Sequence, residues 1–170
     1  MRSAALAVAV SAAVVTFGPR DSAAQVRFGA NVAWANDFDL GVGGRIGFGF
    51  GEVSNRHPIE GVVSFDYFFP GDEGTSLDPT YWEINANGIY KFAITNSTLV
   101  PYVGAGLNYA RASADVPGAG TVSDSEVGLN VLGGLRFGSG QALRPFVEVR
   151  AELGGGEQVV FAFGLLIGRR

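Results

Sequence analysis

The chain has no cysteine and a single histidine, and it has no apolar run after its first two dozen residues long enough for a membrane-spanning helix. The first absence rules out a disulfide framework and a thiolate metal site, so the fold must be held by its own hydrogen bonds and packing. The histidine, His57, sits in "EVSNRHP", a polar turn with no nucleophile–base arrangement around it. Basic residues are outnumbered, 12 against 16 acidic, for a net charge of −4, which argues against nucleic acid as a partner. Helical periodicity is also missing beyond residue 24. The glycine run "GVGGRIGFGFG" (41–51) lacks both the G-x-G-x-x-G spacing and a following helix, so it is not a phosphate loop.

What is present begins with an export signal. Arg2 precedes an apolar run over 4–17, a short polar stretch follows, and Ser22-Ala23-Ala24 offers small residues at the cleavage-determining positions. Residues 1–24 therefore read as a secretory signal peptide, with 25–170 as one mature domain.

That domain alternates apolar and polar residues in runs of about ten, separated by Gly, Pro, Asn, Asp and Ser. The pattern predicts eight strands, at 26–35, 38–50, 59–69, 80–92, 99–110, 125–137, 143–153 and 158–168. Connections at 35–37 and 154–158 are tight. Those at 70–79 ("PGDEGTSLDP") and 111–124 ("RASADVPGAGTVSD") are longer and net acidic.

The stretch "PFVEVRAEL" (145–153) shows the two faces. Val147, Val149, Ala151 and Leu153 point one way and Glu148, Arg150 and Glu152 the other. Sorted by parity, every strand has one apolar face, while the other is charged or glycine-rich. An eight-stranded barrel has an interior just wide enough for side chains to fill. The apolar face carries too many large residues for that space, whereas glycines with interspersed long polar side chains fit it. The expected fold is thus an all-β, eight-stranded antiparallel up-and-down transmembrane barrel with a polar, Gly-rich, plugged lumen. The lumen charges are Arg27, Arg45, Lys91, Arg136 and Arg150 against Glu60, Asp66, Glu83, Glu126, Glu148 and Glu152. Buried charges must be paired, and Glu148 and Arg150, about 7 Å apart on one strand face, are close enough to meet.

Aromatic residues gather at the strand ends, as the interfacial girdles of a membrane barrel do. Trp34, Tyr67, Phe69, Trp82 and Tyr109 lie toward the odd-numbered connections; Phe28, Phe48, Phe50, Tyr90, Phe92 and Phe137 lie toward the opposite ends.

The stretches "PYVGAGLNYA" (101–110), "RPFVEVRAEL" (144–153) and "VVFAFGLLIG" (159–168) resemble the small outer-membrane β-barrel family typified by the transmembrane domain of OmpA and by OmpX. The resemblance covers essentially all of 25–170. It implies a Gram-negative-type outer membrane reached through the periplasm, both termini on the periplasmic side and the long loops outside. His57 would then sit in a periplasmic turn. It also implies outer-membrane lipid and lipopolysaccharide as surroundings and the outer-membrane assembly machinery as a partner in biogenesis. One departure is the ending Ile167-Gly168-Arg169-Arg170, where the family carries a terminal aromatic.

Functionally these features point to a non-enzymatic barrel without cofactor, a structural element or a scaffold presenting the acidic loops 70–79 and 111–124. Glu148 and Glu152 are about 13 Å apart on a strand, too far for a glycosidase pair. The acidic loops lack calcium-ligand spacing. Two alternatives are a narrow pore or path for ions or small apolar molecules, and a soluble secreted barrel that buries its apolar face around a ligand.

Overall fold

The structure, a computed structural model, describes residues 26–37, 39–52, 58–70, 79–92, 94–95, 97–116, 118, 120–138, 142–154 and 157–168. The expected signal segment 1–24, His57 and most of the 70–79 connection lie outside these residues. Eight strands follow one another: β1 (Val26–Ala35), β2 (Asp39–Glu52), β3 (Pro58–Phe69), β4 (Pro79–Lys91), β5 (Val100–Val116), β6 (Gly120–Arg136), β7 (Leu143–Leu153) and β8 (Gln158–Ile167). Each pairs antiparallel with the next, and β8 pairs back onto β1 to close the barrel. Closure leaves no sheet edge within the barrel wall. Among the described residues no helix is long and apolar enough to cross a membrane; a barrel crosses with strands.

The pairing fixes the barrel's width. Val26 pairs with Phe48, then Gly61, Gly88, Ala105, Val131, Ala151 and Val159 follow around the wall. Val159 then bonds Asn36, whose N–H donates to its carbonyl at 3.2 Å. One circuit thus climbs ten residues along β1, from 26 to 36. For eight strands such a stagger requires a tilt of about 35–45° and leaves an interior that side chains can fill.

Burial is inverted relative to a water-soluble fold. Glu60, Glu83 and Asn85 are fully buried, and Arg150 and Asp66 are 1% exposed, whereas Phe28, Leu40, Val127 and Ile167 are 59, 59, 68 and 60% exposed. The alternation places every second residue of each strand against the lumen.

Inward glycines make the room. Gly43 pairs with Asp66, Gly134 with Tyr102, Gly164 with Phe146 and Gly106 with Asn87. A Cβ at any of these glycines would overlap the side chain of its partner. Each small residue therefore stands beside a large one, and the lumen is packed rather than open.

The largest departures from the expected strand bounds lie in β5, β6 and β2. Strands β5 and β6 run 17 residues each and pair as far as Val116↔Gly120. The segment 111–124 is therefore a hairpin arm and not an acidic loop. Its turn uses Gly118 and Gly120 at φ 82° and 84°, angles that glycine adopts without steric cost. The polar alternation of "RASADV" carries too few apolar residues to signal a strand, and pairing with β4 up to Pro79↔Ala114 supplies the missing support. In addition, β2 continues past its expected end, through an irregularity between Gly49 and Gly51, to Glu52.

Candidate functional site in the lumen

The lumen brings together ten of the eleven charged residues expected there, in two clusters. Toward the chain termini, Glu60 on β3 accepts from three cations on three other strands. Arg27 Nη1 lies 2.8 Å away, Lys91 Nζ 2.9 Å and Arg136 Nη1 2.9 Å. The Arg136 guanidinium also stacks over Tyr102, 5.0 Å from the ring centroid.

Toward the opposite end the arrangement is reversed, with carboxylates around a guanidinium. Arg150 on β7 donates through Nε to Glu152 at 2.8 Å, through Nη2 to Asp66 at 3.3 Å, and to Glu83. Glu148 lies 3.9 Å from Arg150 Nη1, so the expected same-strand approach exists. Its tighter partner is Arg45, which reaches across from β2 with two bonds of 3.0 and 3.1 Å while lying 4.0 Å over the Phe146 ring. The Tyr102 hydroxyl donates to the same carboxylate at 2.9 Å.

Amides supply further donors to the carboxylates around Arg150. Asn31 donates to Asp66 at 2.8 Å, Asn85 to Glu83 at 3.0 Å and Asn108 to Glu152 at 3.0 Å. Gln158 donates to Glu83 at 3.2 Å, to Glu152 at 2.7 Å and to the Tyr81 hydroxyl at 2.8 Å.

Counted by charge, the Glu60 cluster holds three cations and one anion; the Arg150 cluster holds two cations, Arg45 included, and four anions. These ten side chains sum to zero in formal charge and are segregated along the lumen axis.

The eleventh expected residue, Glu126, stands apart. It is exposed on the β6 limb of the hairpin arm, above the point where pairing with β7 begins at Leu129↔Leu153. Its parity is inward, but the barrel wall ends below it. Sequence parity also passed over four aromatic lumen residues, Phe68, Tyr81, Tyr102 and Phe146, each 5% exposed or less. Each follows or precedes an outward apolar residue, so the alternation that located Glu148 locates them as well.

Of the girdle residues, Phe28, Trp34, Phe69, Phe92, Tyr109 and Phe137 are exposed on the outer face, and Phe48, Tyr67, Trp82 and Tyr90 are half-buried. The side chain of Phe50 lies outside the described residues. Neighbouring rings touch at one end as Trp34–Phe161, Trp82–Tyr109 and Tyr67–Phe69, 5.7, 5.7 and 5.2 Å apart. At the other end Tyr90–Phe92 are 5.0 Å apart.

No protein-family model matches the chain, and no curated protein sequence matches it. Solved structures do match. The N-terminal β-barrel domain of Pseudomonas aeruginosa OprF aligns with a TM-score of 0.66 at 16% identity, over 85% of this chain and 97% of that one. Ail, the attachment invasion locus protein of Yersinia pestis, aligns at 0.64 and 14%, over 85% and 95%. Neisserial surface protein A aligns at 0.59 and 23%, over 85% and 96%. The fold is that of the small eight-stranded outer-membrane barrels. Function lives in sites grafted onto a fold, so the likeness stops at architecture.

Proposed function

We propose that this chain is a non-enzymatic integral outer-membrane barrel with a closed lumen, serving as a structural element or surface-contact scaffold. One observation carries the reading: large apolar side chains face outward on all eight strands, while charged side chains from β1, β2, β3, β4, β6 and β7 are buried inside. Such a surface is stable against lipid hydrocarbon and unstable against water. The aromatic rings at both strand ends support the same placement. Outer-membrane lipid and lipopolysaccharide are the surroundings this surface fits, and the hairpin arm 111–124 is its contact element outside. Residues 1–24 act as the export signal in this reading, and the termini face the periplasm.

The paired and packed lumen charges favour a sealed barrel over a narrow pore. Planar-bilayer recording of the refolded chain tests this: the expected trace is silent, and discrete conductance steps would replace the sealed reading with the pore.

A further inference from the structure

We infer that the lumen is held shut by one apolar layer at its arm-side end, built on Tyr81 and Phe68, and that the charged stretch beneath it is a latent ion path. The inference rests on the sealed-barrel reading and locates its seal.

The layer reaches right across the lumen. Its buried core joins Ala33 and Ala35 on β1, Phe68 on β3, Tyr81 on β4, Ala110 on β5 and Val160 on β8. In the closed strand order β1 stands opposite β5, and β4 opposite β8, so this one cluster bridges the barrel in two directions. Tyr81 makes the longest crossing: its hydroxyl accepts from Gln158 on β8 at 2.8 Å. The Phe68 ring lies 5.6 Å from the Tyr81 ring, and a Cβ at Gly41 on β2 would come within 2.7 Å of it. Phe68 is fully buried and Tyr81 is 5% exposed.

Beneath the layer, polar groups run without a break to the terminus-side mouth. Gln158 donates to Glu83 and Glu152, and both of these accept from Arg150. Arg150 Nη1 lies 3.9 Å from Glu148, which accepts from the Tyr102 hydroxyl. Arg136 stacks over the Tyr102 ring and donates to Glu60. Lys91 donates to Glu60 as well, and its side chain keeps 12% exposure at the mouth.

The two stretches obstruct an ion in different ways. In the charged stretch each centre has several partners: Arg150 is shared among four carboxylates and Glu60 among three cations. A contact yielded to a passing ion is therefore replaced by another charge-assisted one. In the layer an ion meets rings and methyl groups and loses its hydration with no compensation. A hydrophobic constriction of this kind closes a path by dewetting. The barrier is thus the Tyr81–Phe68 layer and not the Arg45–Glu148 pair.

Planar-bilayer recording of the refolded full chain and its variants in potassium chloride tests this, with the gel heat shift confirming a closed barrel in each. The unaltered chain should be silent. Phe68→Ala/Tyr81→Ala should give discrete conductance steps where the unaltered chain gives none. Arg45→Met/Glu148→Met, which leaves the layer intact, should stay silent. Tyr81→Phe keeps the ring and drops only the hydroxyl, so it too should stay silent, whereas a seal made by hydrogen bonding would leak. Should the double alanine variant lose its heat shift, Phe68→Ala and Tyr81→Ala are recorded singly; steps from either support the layer, and silence from folded single variants overturns it. A folded but silent double alanine variant, or steps from Arg45→Met/Glu148→Met or from Tyr81→Phe, also overturns the inference and leaves the sealed-barrel reading standing. Steps from the unaltered chain would overturn that reading itself.

Discussion

Arg45 on β2 and Glu148 on β7, 103 residues apart, meet through the middle of the lumen in a two-bond ion pair of 3.0 and 3.1 Å. Strands β1 and β8 lie between them in the wall, so the pair spans the lumen and ties opposite sides of the barrel. Both side chains are nearly inaccessible, at 2 and 5% exposure. Removing one member leaves an uncompensated buried charge, which costs about 3–5 kcal/mol. Arg45→Met should therefore lower unfolding free energy in urea by that amount. The double variant Arg45→Met/Glu148→Met should recover most of the loss, because no orphan charge remains. A double variant no better than the single one would show that the pair is not an energetic unit.

The complementarity of lumen glycines and large partners gives a second expectation. At Gly134 an added methyl overlaps the Tyr102 ring, whereas at Gly44, on the outer face, the nearest atom is the Gly29 carbonyl oxygen at 3.7 Å. Gly134→Ala should destabilise the barrel through overpacking, by about 1–3 kcal/mol. Gly44→Ala should stabilise it by about 0.5–1 kcal/mol by relieving the backbone entropy of a strand glycine. Equilibrium unfolding in lipid vesicles checks both; equal effects at the two positions would contradict a packed lumen.

The outer face supplies the third. Val149 is 45% exposed midway along β7. In water Val149→Arg would be nearly neutral, as surface substitutions are. In a bilayer it should cost about 2–4 kcal/mol, the penalty for arginine near the midplane of a barrel's lipid face. Unfolding of the variant in vesicles decides between the two.

The tip of the hairpin arm, beyond its pairing with β4, can be removed without touching the wall. Ala114 pairs with Val122 and is the last β5 residue paired with β4, so replacing 115–121 by Asn-Gly would leave a two-residue turn of the favoured type. The shortened chain should fold with an unchanged heat-shift temperature. Failure to fold would mean that the arm belongs to the barrel's stability and not only to its outer surface.

Much of this architecture was legible beforehand because a barrel wall obeys a period of two without interruption. Val147, Glu148, Val149 and Arg150 declare their faces from sequence alone, and the count of large outward residues decides which face meets hydrocarbon. The wall's upper limit was not legible. The end of β7 at Leu153 was expected, but nothing in the parity of Glu126 says that Leu153 pairs with Leu129, and only the register shows that Glu126 lies beyond the reach of β7. Nor does sequence reveal which charges meet. Arg45 and Glu148 are joined by a ten-residue stagger accumulated over eight pairings, and the segregation of the lumen into a Glu60 cluster and an Arg150 cluster follows from that stagger. The aromatic lumen residues Tyr102 and Phe146 were visible in parity but hidden by the expectation that aromatics belong outside.

The central claim, a closed barrel with its charges inside and lipid outside, is tested most directly by electrophoresis of outer-membrane fractions from cells expressing the full chain. Boiled and unboiled samples are run side by side in SDS. The account predicts a membrane-fraction band that migrates differently when unboiled, because a closed hydrogen-bonded wall resists the detergent until heated. A soluble protein with no heat shift would contradict it and would mean that the exposed valines of β7 face something other than lipid.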